Sequence, residues 1–344
     1  MKSGIIGMAG SGKSTVFDAL TGAQGDPSLK GENRIGTMQV PDHRIGALSN
    51  LYQPKKTIFA QVEYFLPAIR DLRKDSAREQ NVWSRIRDCD ALIHVLRNFG
   101  GYGYEPPNPL ADFKKIDQEL ILADLMVVEK RIERLDLDQK RGKNIDLEEQ
   151  TLLNNCLASL ENEVPLRKDK SLAMAPPLRG FALLSAKPML LLFNNEDEDE
   201  HLPDIPELTN EEECNIIRGK LEQELTQMSA AEAIEFLQEF NIAASAMDRV
   251  IQQTYHLLGL ISFFTVGEDE VRAWTIREGT LALDAAGVVH TDFKQGFIRA
   301  EVVGYDDLMA AGSLAEARKK GTVRLEGKTY EVRNGDVINF RFNV

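Results

Sequence analysis

The sequence predicts an α/β fold: a doubly wound, mainly parallel sheet, interrupted by a helical hairpin and followed by a small α+β unit. Three observations carry that reading. The chain opens MKSGIIGMAGSGKSTVFDAL, in which residues 3–8 alternate small and apolar types, Gly10 and Gly12 break the run, and KSTVFDAL reads as a helix. Apolar strand-length runs then recur between helical stretches, the pattern of a parallel sheet. After Leu258 short strand-like runs alternate with Gly and Asp turns.

Taken in order, a Gly-rich stretch (22–36) follows the first helix, and AQVEYFL (60–66) is the next strand. DALIHVLRNF (90–99) and PMLLLFNN (188–195) are buried strands, and CNII (214–217) is one more. Between 99 and 188 the period changes. DQELILADLMVVEKRIERL (117–135) and LEEQTLLNNCLASLENEV (147–164) repeat apolar residues at helical spacing. DQKRGKN (138–144) joins them, and Gly142 permits a sharp reversal. The result is a projecting helical arm whose tip carries Lys140, Arg141 and Lys143, a solvated turn or a contact for RNA or a partner. Residues 228–258 read as helical. SFFTV, EVRAWTI, FIRAEVV, TYEV and VINFRFNV are the strands of the last unit.

Composition narrows the classes. The chain has 344 residues, room for two or three domains. The longest apolar run, MLLLF at 189–193, falls far short of the roughly 20 residues of a membrane span. The opening motif leaves no space for a signal peptide. Cys89, Cys156 and Cys214 are widely spaced and fit neither a disulfide framework nor a zinc site, so reduced thiols in cytoplasm are expected. The five histidines are scattered, with no cluster for a transition metal. A net charge of −13 argues against indiscriminate coating of nucleic acid. Part of that excess is EDEDEHLPDIPELTNEEE (196–213), which reads as a solvated loop.

Gly7-x-x-x-x-Gly12-Lys13-Ser14 fits the phosphate-loop pattern G-x-x-x-x-G-K-[ST] in the strand–loop–helix setting it requires. Glycines let the backbone of Gly7, Ala9, Gly10, Ser11, Gly12, Lys13, Ser14 and Thr15 curl so that successive N–H groups converge on a phosphate. Lys13 supplies a point charge for the β/γ oxygens, and the Ser14 hydroxyl can ligate Mg²⁺. The helix dipole adds positive potential. This predicts a bound purine nucleotide, ATP or GTP, with Mg²⁺. A small-molecule kinase would need an Arg-rich lid, and the sequence offers only the helical arm.

Several segments together resemble the Obg-like ATPase (YchF) family of translation-associated P-loop NTPases. They are GKSTVFDALTG (12–22), VPDHRIGAL (40–48), PKKTIFAQVEY (54–64), IRDCDALIHVLR (86–97), QELILADLMVVEKRIERL (118–135) and KPMLLLFNNED (187–197). The final 257–308 and 324–344 are similar to the family's C-terminal TGS domain nearly position for position. The resemblance implies an Obg-related G domain in two parts, 1–112 and 178–257. It also implies a coiled-coil insertion at 113–177 and a β-grasp-like TGS domain at 258–344. The implied activity is nucleoside triphosphate hydrolysis, ATP preferred, in contact with the ribosome, for which the arm and the TGS domain are the candidate surfaces.

The departures from the family bear on that activity. Where its switch II carries Asp and Gly, this chain has Leu66 and Ile69 in EYFLPAIRD (63–71). An aliphatic side chain cannot ligate a metal, and a non-Gly residue crowds the γ-phosphate. Lys30 is nearest the expected switch I Thr, and Arg218-Gly219-Lys220 replaces Ser-Ala-Lys. Either another acid (Asp42, Asp71 or Asp75) replaces the lost one and slow hydrolysis survives, or the protein is a nucleotide-occupied adaptor without turnover. By the same resemblance Asn194, Asn195 and Asp197 form the base-binding motif, Asn-x-x-Glu in the family. The terminal Asp is the GTPase choice, because it can accept both N1–H and N2–H of guanine, so base preference stays open.

Other residues carry less. His94, inside an apolar strand, reads as a packed core histidine, and His290 as structural or partner-facing. Arg318, Lys319 and Lys320 form a short basic cluster. Trp83 and Trp274 are isolated and make no stacking row.

Overall fold

A computed structural model describes residues 1–22, 32–68, 82–101, 105–239 and 245–343. Lys30, Ile69, Asp71 and Asp75 lie outside the described residues. In chain order the elements are β1 (Lys2–Ile6), α1 (Lys13–Thr21), β2 (Arg34–Gln39), α2 (His43–Tyr52), β3 (Lys56–Ile58), β4 (Gln61–Leu66) and β5 (Ala91–Asn98). The long helices α3 (Pro109–Lys140) and α4 (Leu147–Glu161) follow, then α5 (Lys170–Ala173), β6 (Met189–Asn195), α6 (Pro206–Thr209) and β7 (Glu213–Ile217). Next come α7 (Gly219–Leu225), α8 (Ala230–Glu239), α9 (Met247–Leu257), β8 (Leu260–Val266) and β9 (Glu270–Arg277). The chain ends with α10 (Ala282–Val289), α11 (Thr291–Gln295), β10 (Phe297–Gly304), α12 (Tyr305–Ala311), α13 (Leu314–Lys319), β11 (Arg324–Glu326) and β12 (Asp336–Phe342).

Two compact units result, 1–37 with 63–250, and 38–62 with 251–344. The sheet of the first runs β2-β4-β1-β5-β6-β7, and β4, β1, β5, β6 and β7 pair in parallel. β6 (MLLLFNN) is buried at every position, as a central strand covered on both faces must be. Ile6, Leu92, Leu96, Leu191 and Phe193 pack there against Phe113, Ile116 and Leu120 from the first turns of α3.

The arm follows from its caps and its apolar stripe. Asn108 accepts the Ala111 N–H and Pro109 occupies the first turn, so α3 starts well before the periodic stretch read from sequence. Its 32 residues span roughly 48 Å. Gly142, at φ 76°, turns the chain into α4, which Asp146 caps through the Glu148 and Glu149 N–H groups. Val128 and Leu135 interlock with Leu153, Cys156 and Leu160, and Arg131 grips Glu149 through two hydrogen bonds of 2.7 and 2.8 Å. At the root, the fully buried Asp124 carboxylate accepts the N–H groups of Leu184 and Ser185 and pairs with Arg87.

The second unit holds a mixed sheet, β11-β10-β12-β8-β9-β3. Its apolar face, Phe263, Ala300, Val302, Ile338 and Phe340, packs on Ala282, Ala285 and Ala286 of α10. The segment 38–62 belongs to this unit, because β3 adds to the edge of the sheet parallel to β9, Lys56 beside Glu270. TYEV, read as a strand, is not one. Asp336 draws in the Tyr330 hydroxyl and the Arg333 N–H and bends the chain, and β11 partners β10 instead.

Candidate functional site

In the first unit β1 and β5 are neighbours, and the chain runs from β1 towards β2 and β4 on one side but from β5 towards β6 on the other. An open parallel sheet binds ligands at such a switch point, beyond the carboxyl ends of its strands. The candidate residues sit at those ends: the glycine loop after β1, Leu66 closing β4, Phe99 after β5, Asn194 in β6 and Gly219 after β7.

The loop's glycines are required sterically. Gly7 and Gly12 hold φ of 144° and 88°, and added Cβ atoms would stand 2.4 Å from the Val95 carbonyl oxygen and 2.2 Å from Asn194 Nδ2. Gly10 also holds positive φ, at 79°, and Ala9 and Gly10 are exposed. The Ser11 N–H closes the bend on Met8 O at 3.2 Å. The first helical bond of α1 runs from the Val16 N–H to Gly12 O, and Gly12 provides no side-chain cap. The amides of Lys13, Ser14 and Thr15 therefore head the helix uncapped, a ready anion site.

Lys13 is 6% exposed, and its Nζ donates to Met8 O at 2.5 Å. Burial pulls its ammonium down to about 8. Ser14 is exposed in the first turn. Among the described residues, no cluster of three His, Cys, Asp or Glu side chains could hold a metal by itself. Mg²⁺ keeps several waters and takes phosphate oxygens, so one protein hydroxyl in this position fits it. Leu66, by contrast, is a buried aliphatic at the end of β4. Asp42 is engaged elsewhere: it caps α2 through the Arg44 N–H and takes the Arg44 guanidinium at 2.8–3.2 Å.

The three base-motif residues differ in what they face, because neighbours on a strand point to opposite sides. Asn194 is a staple: Nδ2 donates to Ser11 O at 3.1 Å and Oδ1 accepts the Gly219 N–H at 2.9 Å. Asn195 turns away, with Nδ2 on the carbonyls of Asp199 and His201 and Oδ1 taking Asn98 Nδ2. Asp197 is half-buried, and its Oδ1 accepts the Leu221 N–H at the start of α7. The acidic loop is tied down at this end. Glu196 accepts the Gly100 N–H, and Arg218 donates to Glu200 and Asp197 O. Sequence reading missed Phe99, whose ring edge would lie 3.8 Å from a Cβ on Gly12. An aromatic just past a buried strand carries no signal of its own without the loop beside it.

Elsewhere the chemistry is quiet. Burial pushes all three free thiols up to about 11. His94 is fully buried, and burial with the charges of Lys13 and Arg167 pulls its imidazole down to about 3, so it is neutral. His290 caps α11 through the Asp292 N–H. Arg318 pairs with Glu301, Lys319 with Glu316, and Lys320 donates to Ala310 O. Trp274 donates to Thr265 and carries Arg272 stacked at 3.8 Å, while Trp83 packs on the sheet core. Lys140, Arg141 and Lys143 are exposed at the arm tip, Lys143 in a 2.8 Å ion pair with Asp138.

A parallel sheet, a glycine loop heading an uncapped helix and a lysine inside that loop define the P-loop nucleotide-binding class. The comparisons resolve it further. The chain is 37% identical over its whole length to the Ribosome-binding ATPase YchF of Bacillus subtilis and spans 100% of that protein. It is 37% identical to the protein of the same name from Pasteurella multocida and 34% to that from Mycoplasma genitalium, covering 99% and 100% of them. The YchF GTPase structure of Schizosaccharomyces pombe superposes with a TM-score of 0.84 at 30% identity, over 99% of this chain and 97% of that one. The family model YchF-GTPase_C, described as "Protein of unknown function (DUF933)", matches residues 260–343. The chain belongs to the YchF family.

Proposed function

We propose that this protein binds a purine nucleoside triphosphate, ATP in the first instance, and hydrolyses it slowly while associated with the ribosome in the cytoplasm. The observation that carries the reading is the loop itself: three uncapped amides of α1 and a desolvated lysine converge beside glycines that no other residue could replace. The names of the relatives supply the base and the partner. Gly7 to Thr15 would wrap the phosphates. Ser14 would hold Mg²⁺, which when bound would neutralise charge on the β and γ oxygens. Asp197 and the flat face of Phe99 would border the base. Leu66, where the family carries a carboxylate, offers none to the ion, so turnover would be slow.

A second reading, a nucleotide-occupied adaptor, is favoured by that same buried Leu66. Titration with ATP and GTP, with and without Mg²⁺, followed by single-turnover hydrolysis in wild type and Lys13→Ala, separates the two. Binding with Lys13-dependent hydrolysis supports the enzyme. Binding with equal background rates in both proteins leaves the adaptor, and no affinity for either nucleotide refutes both.

A further inference from the structure

His94 is a polar side chain without a polar partner. It is fully buried in β5, and neither ring nitrogen makes a hydrogen bond. Burying such a group unpaired is unfavourable, so an aliphatic side chain would fill the space better if filling it were the whole role. Two structural lines meet at it. On one side its strand abuts the phosphate loop. His94 stands in register with Ile6, the residue before Gly7, and the next residue's carbonyl, Val95 O, closes over Gly7. On the other side the imidazole stacks on Phe113 of α3, centroids 6.0 Å apart and planes 27° apart.

Phe113 in turn lies under the guanidinium of Arg167, 5.9 Å from its centroid. Arg167 is buried and pairs with Asp117, one turn further along α3, at 2.7 Å, and with Glu212 at 3.2 Å. Its Nε also has no partner, so two unsatisfied buried polar groups flank one ring. The charges of both Lys13 and Arg167 act on the imidazole.

We propose that His94 is a positioning residue that joins the phosphate loop to the root of the helical arm. The β5 strand registers it against Gly7, and its stack on Phe113, clamped by Arg167 and Asp117, registers α3 against β5. A shift of the loop on taking up a triphosphate is then passed to the first turns of α3. The inference rests on the nucleotide-binding reading above.

Hydrogen exchange over residues 113–135 of the full chain, with and without ATP and Mg²⁺, tests it alongside the ATP dissociation constant. In wild type, ATP slows exchange in this stretch by roughly threefold or more. His94→Leu takes the ring out of the stack, and is expected to bind ATP within about threefold of wild type while losing the slowing. His94→Phe, which keeps a ring for the stack, retains the slowing, a rescue that filling the space with an aliphatic side chain does not give. Phe113→Leu, which cuts the same link from the α3 side, also loses the slowing and serves should His94→Leu fail to fold. Unchanged slowing in His94→Leu or Phe113→Leu, or none in wild type that binds ATP, overturns the coupling. Wild type that does not bind ATP overturns the nucleotide reading and the coupling with it.

Discussion

Lys13 is where burial and function pull in opposite directions. Desolvation lowers its ammonium to about 8, and a triphosphate beside it would raise that value again. A group whose affinity for protons rises on binding takes up a proton wherever the free form has lost it. Below about 8 the free lysine is already charged, so affinity is flat with pH. Above it, affinity falls by up to about tenfold per pH unit until the bound form also deprotonates. Titration of ATP at about pH 7, 8 and 9 in buffers of differing ionisation enthalpy would show proton uptake only at the upper end. A wild-type affinity that stays level across this range, like that of Lys13→Met, contradicts the assignment. The phosphate loop was legible because each of its residues answers a local backbone demand. The contacts of Asn195 were not legible for the opposite reason: its side depends on strand phase, and its partners, Asp199 and His201, lie in a loop whose path no local pattern specifies.

At the level of elements, hydrophobic period gave both arm helices and the five parallel strands, since each buries its own stripe. What stayed hidden was long-range pairing. β3 is three residues long and exposed at two of them, and only its pairing with β9, more than two hundred positions away, makes it a strand. TYEV has strand composition, but Asp336 captures its tyrosine. The arm root depends on one such distant contact. Asp124, fully buried in mid-helix, binds two backbone N–H groups of the 184–185 turn and Arg87. Asp124→Ala is therefore expected to cost about 3–5 kcal/mol, because those donors and the guanidinium lose their buried acceptor. The first urea transition should move to lower denaturant, and exchange should quicken in α3 near the root before the tip. A midpoint within error of wild type would mean that the carboxylate contributes no net stability there.

For the molecule as a whole, the proposed ribosome association sets a chain of net charge −13 against a polyanion. Its acids are not spread evenly. Much of the excess is held at 196–213, in the same unit as the base motif, where Gly100, Leu221 and Arg218 already engage Glu196, Asp197 and Glu200. The arm carries Lys140, Arg141 and Lys143 to the far end of a helix roughly 48 Å long, well past the roughly 8 Å over which physiological salt lets charges act. The tip thus offers Lys140, Arg141 and Lys143 to RNA away from the 196–213 acids, although Asp136, Asp138, Asp146, Glu148 and Glu149 lie beside them. Lys143 shares its charge with Asp138, so Lys140 and Arg141 contribute most. Replacing all three by Ala should weaken co-sedimentation with ribosomes by about tenfold or more near 0.1 M salt, and flatten the log–log salt slope by roughly two to three. ATP affinity should not move, because the tip touches no residue of the phosphate loop. Equal co-sedimentation at every salt concentration would remove the arm tip from the contact and leave the C-terminal unit to make it.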